Sequence, residues 1–236
     1  MQSFPSPVTV DYFCPSNEQE INSDIIKSHQ KASLGNANIM KYILMYYNQP
    51  KDFSSFIMLS QIMAGEAIKV AVESHRMAMP YCMGSLYWQL NDCWPGASWS
   101  SMDYFGNWKA LHYYAKKFFS PLLICADIQP DTLNVYVVND GESIKDLKIL
   151  IELYDFKGTL TYEEIVITNI NANSSTNVFS DKKDKVLNGL NVKNVMLRVS
   201  IEIKGFIAST NDYFFEKTKF LNVDEPNFNV NVEKAN

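Results

Sequence analysis

The sequence has 236 residues, 47% of them apolar and 20% charged, and a formal net charge of −5. That composition excludes a disordered, low-complexity or collagen-like chain, and the acidic balance argues against a nucleic-acid partner. No apolar run approaches the ~18 to 20 residues that span a bilayer, so no membrane partner is expected; Met1-Gln2-Ser3-Phe4-Pro5-Ser6-Pro7 lacks the basic and long apolar regions of a signal peptide.

Residues 1–35 read as mostly irregular, because Pro5, Pro7 and Pro15 break helices. Residues 38–47 form a short helix that stops before Pro50. Asp52 and Ser54 are candidate N-caps of a helix of about 25 residues, whose Ile57, Ile62, Ile68 and Val72 recur at helical spacing up to Pro80. Residues 82–92 are largely apolar without clean alternation, as in a strand buried on both faces. A long aromatic loop follows, then a helix over 108–119 ended by Pro121. Helix, buried strand, loop, helix is the unit of an α/β protein with a parallel sheet.

The pattern changes near residue 125. Alternation with period two marks strands at 133–138, 147–154, 163–167 and 195–203, with a further candidate at 213–220. Asn139-Asp140-Gly141, Lys157-Gly158 and Asn188-Gly189 supply turns. Five or more short strands at this spacing suggest an all-β sandwich of about 100 residues. Asp224-Glu225-Pro226 reads as a linker, and 227–232 alternates again, like the first strand of a further domain. The charge is also uneven: nine basic and nine acidic residues up to position 125, twelve and seventeen after it. This fits two units or simply a solvated acidic surface.

Cys14, Cys82, Cys93 and Cys125 lack metal-ligand spacing, so they read as free thiols in a reducing setting, and no metal site is expected. Asn173-Ser174-Ser175 is a glycosylation sequon that matters only in a secreted chain. Glu66 and Glu73 share one helix face; a carboxylate pair can do acid/base work, but a solvated face is the simpler reading. His29 and His75 have no evident partner, His112 reads as packed among aromatics, and Asp103 reads as a turn residue.

All four tryptophans fall between Trp88 and Trp108, and ten of the residues from 81 to 114 are aromatic. Aromatic faces suit the C–H faces of sugars, and Asn or Asp side chains suit hydroxyls. Trp88, Asn91, Asp92 and Trp94 supply both at the end of the expected strand, where α/β barrels place their sites. A core of packed aromatics with surface turns has the same composition.

Gly84-Ser85-Leu86-Tyr87-Trp88-Gln89-Leu90-Asn91-Asp92-Cys93-Trp94-Pro95, continued by Ala97-Ser98-Trp99-Ser100-Ser101-Met102-Asp103-Tyr104 and Trp108-Lys109-Ala110-Leu111-His112-Tyr113, resembles the β-mannosidases. These are retaining glycoside hydrolases related to β-galactosidase and β-glucuronidase. Gln2-Ser3-Phe4-Pro5, His29-Gln30-Lys31 and Leu59-Ser60-Gln61 fit as well. The resemblance implies a fold class of α/β plus all-β: residues 1–125 as the C-terminal part of a (β/α)8 TIM barrel, with its eighth strand at 81–92, residues 126–222 as an immunoglobulin-like β-sandwich, and 223–236 as a linker and first strand of another sandwich. It implies hydrolysis of terminal, non-reducing β-D-mannose from oligosaccharides, with no cofactor. Trp88, Asn91, Asp92 and Trp94 would be substrate-binding.

Retaining hydrolysis needs two carboxyl groups about 5 to 5.5 Å apart. The resemblance places the nucleophile in a Ser-Glu-(Phe/Tyr)-Gly stretch just ahead of a segment like Met1-Gln2-Ser3-Phe4-Pro5 and the acid/base Glu earlier still, so no catalytic residue is expected here and the chain alone should be inactive. A lone eighth strand would leave its faces uncovered. A related β-galactosidase or β-glucuronidase, or a non-catalytic sugar-binding or interaction module, are the alternatives. Compartment stays open: free thiols favour cytoplasm, whereas a longer parent allows a lysosomal or secreted setting.

Overall fold

The structure, a computed structural model, describes residues 1–225; the strand expected at 227–232 lies outside them. Helices and loops build the first half and two antiparallel sheets the second. The first half is less irregular than its prolines suggest. Helix α1 (Pro7–Phe13) has Pro7 at its first position, where a missing N–H costs nothing, and Ser6 as N-cap, its Oγ accepting from Thr9 N at 3.3 Å. A short α2 (Asp24–Ser28) follows, and α3 (Gly35–Tyr46) starts three residues before the expected position.

Helix α4 (Phe53–Met77) has the expected length of 25 residues and Asp52 as its cap, with Oδ1 accepting from Ser55 N at 2.7 Å. Phe56 and Ile57 face a core with Phe4, Val10, Ile26, Ile39 and Ile43. Farther along, Val72 packs on Leu111, Ala115 and Phe118 of α5 (Ala110–Phe118). The two helices approach closely at Gly65, where a Cβ would sit 2.6 Å from the Tyr114 ring. By length and mean hydropathy alone α4 could cross a bilayer, contrary to the sequence expectation. Here it is a packing helix, with Glu73 and Arg76 buried against protein.

The expected strand at 82–92 and its parallel sheet are not formed among the described residues. The segment is irregular and outside any sheet, and Leu86, Trp88 and Leu90 are exposed. The physical reason is the lack of flanking strands. Its end bonds instead to its own downstream loop: Gln89 N donates to Trp99 O (3.1 Å), and Met102 N donates to Leu90 O (2.8 Å).

The sandwich is as expected in kind. One sheet orders β1 (Leu122–Ile128), β2 (Thr132–Asn139) and β5 (Ser174–Lys182); the other orders β4 (Leu160–Ile170), β3 (Ile144–Asp155), β6 (Val195–Ile203) and β7 (Phe206–Phe214). Alternate residues of β2, β3 and β6 point inward, so Leu133, Val135, Val137, Ile149, Ile151, Leu153, Leu197, Val199 and Ile201 form one core. β1 starts ahead of the boundary expected at 125. β1 and the polar β5 escape the alternation test, as does the short α6 (Lys183–Leu187) that Asn188-Gly189 terminates. Among the described residues the last strand lies upstream of the expected 213–220, because Lys204-Gly205, with φ of 52° and 83°, is the real hairpin turn.

Glu73 corrects the reading of a solvated carboxylate face. It is 4% exposed and accepts from Asn211 Nδ2 and Tyr213 OH, each at 2.9 Å, with Lys69 Nζ at 3.4 Å. Burial pushes its pKa up, against the pull of Lys69 and these hydrogen bonds. Arg76 adds Nη1 bonds to Phe118 O and Ser120 O and an ion pair to Asp140, all at 2.7 Å. Together these groups fasten α4 to the sandwich.

Candidate functional site: an aromatic segment on a buried polar network

The four expected site residues fall into two groups. Trp88 (74% exposed), Asn91 and Trp94 (48%) face solvent, while Asp92 is 6% exposed. Among the described residues no ring stacks on Trp88. Asp92 Oδ1 accepts from Lys31 Nζ (2.6 Å) and Gln89 Nε2 (3.2 Å); Oδ2 accepts from Ser98 Oγ (2.6 Å) and from Ser100 Oγ. With both oxygens engaged, Asp92 ties the loop down rather than presenting a free carboxylate.

The network continues inward to Lys109. Its side chain is fully buried, and Nζ donates to Ser3 O (3.1 Å), Ser98 O (3.4 Å) and Ser100 Oγ (3.5 Å). Burial lowers its pKa from 10.5 to about 7; Asp92 and Asp103 pull it back up, and Lys31 pushes it further down. An antiparallel bridge between Ser3 and Ser98 closes the same knot. The segment Gln2-Ser3-Phe4 thus packs against the aromatic loop from the far end of the sequence.

Asp103 organises the rest of the loop. Its Oδ1 accepts from Asn107 N (2.9 Å) and Phe105 N (3.1 Å), as a turn residue does, and its Oδ2 from Thr9 Oγ1 (2.7 Å) and Ser6 Oγ (2.8 Å). Burial raises its carboxyl pKa, but the bonds from Thr9, Ser6 and Asn107 outweigh that and hold it below the usual value. His112 lies against Trp108 (4.3 Å between ring centres) and pairs with Ser101 Oγ at 3.0 Å, so it is packed among aromatics.

Sequence reading missed the role of His29 and Lys31. The imidazole of His29 stacks between Phe13 (3.9 Å) and Trp94 (4.7 Å), and Lys31 pairs with Asp92. The His29–Trp94 and Lys31–Asp92 contacts join residues more than sixty positions apart, so no local pattern announces them. A cavity of about 550 Å³ lies elsewhere, between Tyr46, Tyr47, Glu66 and Phe214, and includes none of the expected site residues.

Residues 131–219 match the family model of the Mannosidase Ig/CBM-like domain. The β-mannosidase of Capra hircus is 31% identical over 166 residues, 65% of this chain and 19% of that protein. β-Mannosidase B of Aspergillus niger is 29% identical over 128 residues, 52% of this chain and 15% of that protein. The crystal structure of a β-D-mannosidase from Dictyoglomus thermophilum superposes with a TM-score of 0.87 at 30% identity, covering 94% of this chain and 27% of that one. An exo-chitosanase from Amycolatopsis orientalis shares the fold at 19% identity, with a TM-score of 0.74 over 92% of this chain and 27% of that one. The chain is thus a relative of the β-mannosidases, a family of glycoside hydrolases, and spans about a fifth of the length of the curated mammalian members it matches.

Proposed function

We propose that this chain is the part of a retaining β-mannosidase that holds one wall of the sugar site, in a parent that removes terminal, non-reducing β-D-mannose from oligosaccharides. In that parent residues 1–125 would complete the last part of a (β/α)8 barrel, where 81–92 gains as eighth strand the flanking strands it lacks here, and 126–222 would form the sandwich behind it. Trp88 stacks on or walls the mannose. Asn91 and Trp94 shape the mouth, and Asp92 shapes it from beneath by anchoring the loop. The likeness to the Dictyoglomus thermophilum β-D-mannosidase, over 94% of this chain at 30% identity, carries this reading.

The same reading makes the isolated chain inactive. Retention requires two carboxyl groups about 5 to 5.5 Å apart that face the sugar. Asp92, Asp103, Glu66 and Glu73 are each engaged in hydrogen bonds that pack the fold. The test is incubation of the chain with a chromogenic β-mannoside, with mannose binding followed by tryptophan fluorescence. The expected result is no turnover and a binding signal that Trp88→Ala removes. Turnover lost on Trp88→Ala would refute inactivity. A second reading, sugar binding by the sandwich itself, draws on the description of its matching family; because residues 126–222 contain no tryptophan, it is read by titration calorimetry, and it predicts binding that survives replacement of both Trp88 and Trp94.

A further inference from the structure

We infer that His29-Gln30-Lys31 is a positioning clamp that fixes the plane of Trp94 as a stacking platform, an inference that rests on the reading of Trp94 as part of the sugar site. Three consecutive residues grip one loop at separate points. Lys31 Nζ binds Asp92 Oδ1 at 2.6 Å. His29 Nδ1 lies 2.6 Å from Pro95 O; a carbonyl only accepts, so Nδ1 carries the proton and donates. The His29 carbonyl accepts from Ala97 N at 3.1 Å, and Gln30 forms a parallel bridge with Ala97.

Between these points lies the ring of Trp94. It stacks on His29 at 4.7 Å and 17°, and His29 in turn stacks on Phe13 at 3.9 Å and 10°. Phe13 closes α1 and packs against the Phe4–Ile39–Phe56 core, so the stack is grounded in rigid structure. Close approach is built in at Gly96, where a Cβ would lie 2.1 Å from His29 O. Any other residue there would push the loop off the clamp. Trp94 nonetheless keeps about half its surface open, 48%, for a ligand. An aromatic platform held in advance spares the ordering of its rotamer when a sugar binds.

The test uses the full chain labelled with fluorotryptophan, whose four fluorine signals are assigned by single Trp→Phe variants. His29→Ala is expected to shift and broaden the Trp94 signal and leave Trp99 and Trp108 in place. It is also expected to weaken the mannose response of Trp94 by about threefold to tenfold, the weight of ordering one side chain. His29→Phe, which restores a ring in the stack, is expected to return the Trp94 signal to a narrow line. A Trp94 signal unchanged by His29→Ala would overturn the clamp. Should His29→Ala disturb all four signals, Lys31→Gln decides, since it leaves every ring in place: a displaced Trp94 supports the clamp and a fixed one overturns it. The two readings fail separately. Absence of any mannose response in the unmodified chain sinks the sugar site, whereas the His29→Ala comparison needs no ligand.

Discussion

The sandwich and the aromatic segment both carry apolar runs and end differently. In the sandwich every inward residue of β3 meets a partner supplied by the same chain: Ile151 lies opposite Glu164 on one neighbour and Val199 on the other, and its side chain is fully buried. Residues 81–90 carry Tyr81, Met83, Leu86, Trp88 and Leu90, and all of them stay exposed. An apolar run therefore records what a segment is made to touch, and a strand forms only where that neighbour is present. Two substitutions test the contrast most strongly. Ile151→Ala should cost about 2 to 5 kcal/mol in urea unfolding, the range for emptying a packed core site. Leu86→Ala should stay within about 0.5 kcal/mol, as for an exposed position. Equal losses would mean that Leu86 is covered in solution and would remove the distinction.

A pH titration sharpens the comparison at the base of the aromatic loop. The unfolded chain keeps a lysine protonated up to about pH 10.4, whereas burial brings Lys109 down to about 7 in the fold. Between those values the unfolded state binds more protons, so stability rises as pH rises. The slope approaches about 1.4 kcal/mol per pH unit at its steepest. The Met1 amino group, lowered by burial and by Lys109, acts in the same direction below its ordinary 8.0, whereas the thiols of Cys14 and Cys125, pushed up by burial, act in the opposite direction at alkaline pH. The diagnostic quantity is therefore the difference in urea-unfolding slope between the unsubstituted chain and Lys109→Met over about pH 8 to 10, and the substitution should make the slope less positive there. An unchanged slope would assign the pH dependence to other groups.

The sequence makes these regions legible to different degrees for physical reasons. The length and cap of α4, β2, β3 and β6 show through because a local periodicity or one capping carboxylate suffices. β5 does not, since Ser174, Ser175, Thr176 and Asn177 give it a polar face without alternation. The aromatic segment can be singled out by composition, yet its state depends on neighbours that no window over 82–92 contains. Glu73 escapes for a related reason: helical spacing puts it on a face with Glu66, but only β7, 138 positions on, supplies Asn211 to make that face an interior one. The same holds for the Lys31–Asp92 pair and the His29–Trp94 stack, which exist only after folding joins distant loops.

The smallest effect concerns the turn that local reading misplaced. Lys204-Gly205 joins β6 to β7 with positive φ at both positions. That geometry suits Asn-Gly or Asp-Gly, and a lysine there carries the left-handed penalty of an ordinary side chain. The favourable dipeptide is absent, so the apolar Tyr213, Phe214 and Phe215 draw the expected strand downstream of its real position. Lys204→Asn should therefore stabilise the chain by a few tenths to about 1 kcal/mol in urea unfolding. The β6–β7 register, Val199 against Asn211 and Leu197 against Tyr213, should hold. Because Asn211 and Tyr213 donate to Glu73, a register slip in Lys204→Asn would instead release that buried carboxylate and lower stability. The sign of the change alone thus reports whether the turn or the Glu73 contact fixes the register of β7.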